Sequence, residues 1–418
     1  MILDGLNDRQ KEAVLYNDGP LLIIAGAGAG KTKTLTTKIA YLIENENVDP
    51  RSILAITFTN KAAKEMKDRL YLIIGDVSKK IQVSTFHSFG LKLLRENYSI
   101  LGFDRNFVIM DSDDSLTVVK KILKDLNYDS KVYNPRAIRN KISSCKNELM
   151  SPKKYEHYAV SEYDKVVYQV YEKYEDKLHR NNSVDFDDLL LLPIKLFTEY
   201  EDIKEKYQDL YQYMLIDEYQ DTNQAQYILT KLISEKSRKI TCVGDDSQSI
   251  YSFRGANYKN ILNFEKDYKD AKTILLEENY RSTSNILDAA NQVIKNNKQR
   301  KDKNLWTARG IGEKIKYYRS YNEKDEAQYV IRKVKELVNR GIEYKDIAVL
   351  YRTNAQSRVM EEEMLKENLP YKVIGSLYFY SRKEIKDLIA YLRIIYNSKD
   401  NVSLLRVINT PKRGIGLK

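Results

Sequence analysis

A lysine and a threonine close a stretch in which glycine alternates with alanine, Ala25-Gly-Ala-Gly-Ala-Gly30-Lys31-Thr32, and this pattern suits a triphosphate. Gly26, Gly28 and Gly30, with Ala27 and Ala29 between them, let successive backbone N–H groups turn toward phosphate oxygens. A helix starting there adds its partial positive charge. Lys31 can reach the β- and γ-phosphates, and the Thr32 hydroxyl can ligate Mg²⁺. Ala25 stands where the strict pattern has glycine, and Lys33 is the next side chain along.

Two adjacent carboxylates, Asp217 and Glu218, follow the apolar run ending Leu215-Ile216. At the end of a buried strand near a phosphate loop, Asp217 can hold Mg²⁺ through its water shell, and Glu218 can orient or deprotonate the attacking water. Gln248, in Val243-Gly-Asp-Asp-Ser-Gln248, is a candidate contact for the γ-phosphate or the water. Tyr251 and Phe253 beyond it suit either base stacking or the filling of a domain interface. Phe58, Thr59, Asn60 and Lys61 combine a ring, small polar groups and a cation, a set that can track a phosphodiester backbone. His87, in Thr85-Phe-His-Ser-Phe89, reads as a structural hydrogen-bonding residue or a DNA contact, because no nucleophile or metal partner accompanies it. Arg281 can act as an arginine finger, and Tyr280 beside it can stack on adenine. Asp185-Phe-Asp-Asp188 reads as a helix cap rather than a metal site, and Tyr155 to Tyr174 as a solvated helical face.

The elements that must position these groups follow from periodicity. Apolar runs at Leu21–Ala25, Ile53–Thr59 and Ile81–Thr85 alternate with helical stretches, which indicates α/β structure with parallel strands and right-handed crossovers. From about Ile100 to Ser183 the chain reads as a polar helical insertion. Buried strands return at Tyr213–Ile216, Lys239–Val243 and Thr273–Leu276. A second α/β set is expected after Arg281, with strands at Lys314–Tyr318 and Ile347–Tyr351 and a helix at Glu323–Val338. A chain of 418 residues is too long for one core. Its excess of Lys+Arg (70) over Asp+Glu (59) fits either a polyanionic partner or a lysine-rich composition. Cys145 and Cys242 are too few for a disulfide framework, and His87, His157 and His179 lack ligand spacing. The absence of a signal-like N-terminus and of a membrane-length apolar run points to the cytoplasm.

In order, these segments resemble the UvrD/PcrA/Rep family of superfamily 1 DNA helicases. The similarity is carried by AGAGAGKT (25–32), LNDRQKEAV (6–14), ITFTNKAAKEM (56–66), VSTFHSFG (83–90), LIDEYQDTN (215–223), VGDDSQSIYSFRGA (243–256), LEENYRST (276–283), VLYRTNAQSR (349–358) and FYSRKEIKDLIAYLR (379–393). The resemblance implies a RecA-like P-loop ATPase domain made of residues 1–100 and 184–278, with a helical insertion at 101–183. It also implies the first part of a second RecA-like domain at 279–383 and the start of a further helical domain at 384–418. Lys31, Thr32, Asp217, Glu218, Gln248 and Arg281 would form the ATPase site with ATP and Mg²⁺, and Gln10 would read adenine. Phe58, Tyr251 and Phe253 would line a single-strand track, and Arg254 would couple track to nucleotide.

The implied activity is a DNA-stimulated ATPase and 3′→5′ helicase, acting on single-stranded and duplex-junction DNA in repair or replication. Partner proteins of those pathways and a monomeric or weakly self-associating state are expected in a bacterial cytosol. The family's last two motifs have no counterpart here, so a truncated chain with weak turnover is expected. Two rivals are the motor subunit of a helicase–nuclease and a DNA-binding protein that uses nucleotide only as a switch.

Overall fold

The computed structural model describes residues 2–252, 255–298, 300–374 and 382–415. Six parallel strands form its central sheet: β1 (Leu21–Ala25), β2 (Ile53–Thr57), β3 (Gln82–Thr85), β6 (Tyr213–Ile216), β7 (Ile240–Gly244) and β8 (Lys272–Leu276). Their spatial order is β3-β2-β6-β7-β1-β8. Both faces are covered, because alternate side chains of each strand enter different cores. Leu22, Ile24, Leu54, Ile56 and Ile216 face one core with Phe89, Phe197 and Tyr207. Leu21, Ile23, Ile53, Ala55, Leu215 and Val243 face the other with Leu35, Ile39 and Met66. The strand expected over Ile53–Thr59 ends at Thr57, where Thr59 turns to accept from Ala62 N at 3.1 Å and caps the next helix.

Helices α1 (Asp8–Leu15), α2 (Lys31–Glu44), α3 (Asn60–Ile74) and α4 (Phe86–Asn97) accompany the first strands. The chain then runs through β4 (Val108–Ile109), α5 (Ser112–Asp125), α6 (Pro135–Asn147), α7 (Pro152–Glu156), α8 (Glu162–Arg180) and β5 (Ser183–Val184). Strands β4 and β5 pair with each other in a separate two-stranded ladder. This helical segment has its own core, formed by Val119, Ile122, Ile138, Val167, Tyr171 and Tyr174 among others. The Tyr155–Tyr174 stretch is therefore not a wholly solvated face. Tyr155 of α7 is buried, and so are Tyr171 and Tyr174, because α8 turns one tyrosine-bearing side onto α5 and α6.

The acidic cluster after β5 does more than cap a helix. Asp185 and Asp188 exchange backbone-to-carboxylate hydrogen bonds of 3.0 and 2.9 Å at the start of α9 (Asp188–Glu199). Both also grip the buried Lys146 ammonium of α6, at 2.9 and 2.7 Å, and Glu175 Oε1 lies 2.7 Å from it as a third ion-pair partner. Burial alone would favour a neutral amine. The three carboxylates outweigh it and hold the pKa of Lys146 well above the ordinary lysine value. Lys146→Met should therefore destabilise the protein by about 3–5 kcal/mol, because buried carboxylates lose their counter-charge. Urea unfolding of variant and wild type checks this, and an unchanged midpoint would contradict it.

After α9 come α10 (Glu201–Leu210), α11 (Gln224–Ser234), α12 (Lys259–Asp267) and α13 (Ser284–Ile294). Residues 1–313 and 393–405 form one compact unit, and 314–392 with 406–418 a second. In the second unit α14 (Glu323–Asn339) and α15 (Ser357–Lys366) pack through Ile331, Val334 and Met364, with Leu369 just beyond α15 in the same cluster. The strands expected at Lys314–Tyr318 and Ile347–Tyr351 are not formed. Both segments are mostly exposed and no strand among the described residues pairs with either, so neither the alternating first segment nor the continuous apolar run of the second has a ladder to join there. Helices α16 (Lys383–Tyr396) and α17 (Asn401–Val407) follow. No helix among the described residues is long and apolar enough to cross a membrane.

Candidate active site

The phosphate loop leaves the C-terminal end of β1 and enters α2 at Gly30, which adopts φ 80°. Gly28 is also left-handed, at φ +70°, and a Cβ there would lie 2.7 Å from both Arg281 Cβ and Asn279 Nδ2. Only glycine suits that combination of backbone and close approach. Asn279 ties the turn down by donating to the Ala27 carbonyl, while Tyr280 N donates to Gly28 O at 3.0 Å. The structure thus seats Ala27 and Gly28 against the Asn279–Arg281 turn, Gly26 against Leu305 and Ala29 and Gly30 against Gln10, with Ala25 ending β1. The Arg281 guanidinium is exposed and makes no hydrogen bond among the described residues.

Lys31 Nζ meets Glu218 Oε2 at 2.9 Å, and Thr32 Oγ1 lies 3.4 Å from Asp217 Oδ2. Glu218 sits in the left-handed region, at φ 53° and ψ 44°, a conformation costly for a residue with a Cβ and found at functional sites. Burial, and then the neighbouring Glu218 charge, push Asp217 up to about 6 against the pull of Lys31. Gln248 is held by its own turn, donating from Nε2 to Asp245 Oδ2 at 2.6 Å.

Gln10 is buried beside the loop. Its Nε2 donates to Ala29 O at 3.0 Å and its Oε1 accepts from Asn7 N at 3.1 Å, so reading a base requires exchanging one of these bonds. Tyr280 is half exposed, with its hydroxyl on Glu278 at 2.7 Å and accepting from Asn7 at 2.9 Å. Lys33 points away from the loop, to Gly5 O at 2.6 Å.

A cavity of about 1140 Å³ opens over the ends of β2 and α6. Phe58, Thr59, His87 and Tyr251 line it together with Arg139, Asn140 and Asn147. The Phe58 and Tyr251 rings stand 4.9 Å apart and tilted by 34°. Asn60 stands behind this wall, its Oδ1 accepting from Ser88 Oγ at 3.3 Å, and Lys61 is exposed at the start of α3 outside the lining. Phe253 and Arg254 lie outside the described residues.

Four nearby residues escaped the sequence reading. Phe186 is 54% exposed, with its ring 6.0 Å from that of His87, and its alternation with acids was the only hint. Gln220 is buried between Glu218 and Asp245. Asp221, three residues after Glu218, lines the cavity with Oδ1 lacking a hydrogen-bond partner. Asp187 also lines it, and burial, followed by the Asp185 charge, pushes it up to about 6.

Asp187 predicts a pH dependence. Below about pH 6 its carboxyl is neutral, and above it a buried anion faces the cavity. A polyanion in the cavity should therefore bind less tightly as pH rises from 5 to 7, by on the order of 1 kcal/mol, about fivefold. His87, with a pKa lowered by burial, and Asp221, pushed up to about 6 by burial and then the Glu218 charge, also line the cavity, so Asp187→Asn is the control. Oligonucleotide titrations that keep the same pH slope in Asp187→Asn would remove Asp187 from this role.

A glycine-rich phosphate loop at the C-terminal end of β1, with paired carboxylates at the end of β6 and β7 between the two strands, defines a RecA-like P-loop nucleotide-binding core in an α/β fold. More particularly, the chain belongs to the UvrD/REP helicase family. Residues 6–269 match the UvrD/REP helicase N-terminal domain, and residues 274–418 match the UvrD-like helicase C-terminal domain. The chain is 52% identical over 415 residues to the ATP-dependent DNA helicase PcrA of Staphylococcus aureus, and 51% identical to that of Staphylococcus epidermidis. These matches cover 99% of this chain and 57% of each relative, so the chain spans a little more than half their length.

Proposed function

We propose that this chain carries the ATP-hydrolysing site and part of the single-strand track of a 3′→5′ DNA helicase acting in DNA repair or replication. One observation carries the reading: Glu218 faces the phosphate-loop Lys31, while Asp221, one short turn later, faces the cavity lined by Phe58 and Tyr251. A shift of that turn is felt at both places. The direction of travel, the duplex-junction substrate and a cytosolic setting are carried over from the family resemblance as part of this proposal, and the relatives' names support ATP as the fuel.

On binding, the γ-phosphate competes with Glu218 for Lys31. Glu218 then remains held by Gln220 Nε2 at 2.8 Å, with its carboxylate available to orient or deprotonate water. Arg281, uncommitted beside the phosphate loop, is placed to neutralise charge developing in the transition state. Gln10 and Tyr280 flank the loop where a base would lie. Thr32 and Asp217 offer a hydroxyl and a buried carboxylate, oxygen donors that fit Mg²⁺, and a cation there would offset the cost of burying Asp217 ionised. Mg²⁺ supplies charge neutralisation on the phosphates when bound.

Along the cavity, Phe58 and Tyr251 offer rings to unpaired bases, with Thr59 and His87 beside them for backbone and sugar. Asn60 and Lys61 are assigned to the same track by their residue types and Phe253 by the family resemblance, with Arg254 coupling track to nucleotide. The deciding experiment is ATP turnover with and without a single-stranded oligonucleotide, using Lys31→Ala as the blank. Turnover that rises with DNA and vanishes in the blank supports the reading. Turnover indifferent to DNA, or surviving Lys31→Ala, would overturn it.

A further inference from the structure

Residues 301–306 form a strap that reaches three parts of the nucleotide site far apart in sequence. Trp306 bridges in parallel to Glu278, and its carbonyl accepts from Asn279 N at 2.7 Å, beside the turn that carries Arg281. Leu305 closes over the phosphate loop, where a Cβ on Gly26 would meet Leu305 Cδ2 at 2.1 Å. Lys303 enters the turn after β7. Its side chain is 5% exposed, and Nζ lies 2.6 Å from Asp245 Oδ1, 2.6 Å from Asp246 Oδ1 and 3.1 Å from Ser247 Oγ. Lys301 N adds a 2.8 Å bond to Asp246 Oδ2.

From this buried ammonium an unbroken chain of contacts runs to the phosphate loop. The second oxygen of Asp245 accepts from Gln248 Nε2 at 2.6 Å, and Asp245 N donates to Gln220 Oε1 at 2.9 Å. Gln220 Nε2 donates to Glu218 Oε2 at 2.8 Å, and that oxygen pairs with Lys31 at 2.9 Å. Lys303 and Gln248 thus share one carboxylate. Removing the ammonium leaves Asp245 Oδ1 to Ser247 N alone, at 3.0 Å, which loosens the carboxylate that holds Gln248 directly and reaches Glu218 through the Asp245 backbone and Gln220.

We infer that Lys303 is a positioning residue of the ATP site, setting Gln248 and Glu218 from outside the sequence segments that carry the chemistry. The inference rests on the ATPase reading above. Its test is the double variant Lys303→Met/Asp246→Asn, which removes one charge of each sign and so leaves no extra buried anion. Lys303→Met alone should show the same kinetic defect with lower thermal stability.

With saturating single-stranded DNA, kcat should fall at least tenfold while the KM for ATP moves less than threefold. A contribution to folding alone would lower the melting temperature without that split. Trp306, the sole tryptophan, gives a second readout three residues away. Its emission should change when wild type binds ATPγS, and the change should be lost in the double variant. A folded double variant with wild-type kcat, or with the wild-type emission response, would overturn the inference. A wild type that binds ATPγS but never hydrolyses ATP would instead overturn the proposed function, and the Trp306 response would still decide the role of Lys303.

Discussion

Replacing Glu218 by glutamine should reduce ATP turnover by about 10²–10⁴-fold, the range lost with a general base, while ATP and single-stranded DNA still bind. The amide keeps the shape and left-handed backbone of this position, so the loss isolates the carboxylate. In Glu218→Gln the neutral amide would no longer pair ionically with Lys31, which leaves that ammonium freer for phosphate and should tighten nucleotide binding if it changes at all. Single-turnover hydrolysis beside equilibrium binding of a fluorescent ATP analogue separates the two effects. Retained turnover would move the base elsewhere and reduce Glu218 to a counter-ion for Lys31.

Phe58→Ala should weaken single-stranded DNA binding by about 1–3 kcal/mol, the worth of one stacked base, or roughly five- to 150-fold. The effect should be nearly independent of base sequence, because every base presents a π-face. Tyr251 lies 4.9 Å from Phe58, so the two rings are expected to act on neighbouring bases or on one base together. The double variant decides: separate bases give additive losses, and a shared base gives less than the sum. Fluorescence anisotropy with poly-dT at fixed salt is the measurement. An affinity equal to wild type in Phe58→Ala would mean that the two rings only pack against each other.

Much of the core was legible because buried parallel strands read as short continuous apolar runs, and the chemistry-bearing residues follow them directly. Asp217 is the residue after β6, and Thr59 and Asn60 follow β2 within three residues. Legibility failed where a residue's role depends on a partner far along the chain. Lys146 looks like any surface lysine of a polar helix until Asp185 and Asp188 close on it, and Lys303 sits in the charged run Arg300-Lys-Asp-Lys303. Spacing cannot reveal such contacts, because the fold sets them. Lys314–Tyr318 and Ile347–Tyr351 show the opposite failure. Alternation in the first and a continuous apolar run in the second each satisfy a strand template, yet a strand exists only where a neighbour takes its hydrogen bonds, and none among the described residues does.

The two-residue ladder of β4 and β5 carries a further consequence. Val108–Ile109 and Ser183–Val184 pair directly, so the helical segment between them is anchored on two strands about 5 Å apart, one inter-strand spacing. The two strands run parallel, so the more than seventy intervening residues act as one crossover that brings the chain back beside the strand it left, travelling in the same direction. In engineering terms the segment is a cassette with matched ends. It can be exchanged for a module of different size, provided that module arrives on two paired strands and supplies a cation where Lys146 meets Asp185 and Asp188.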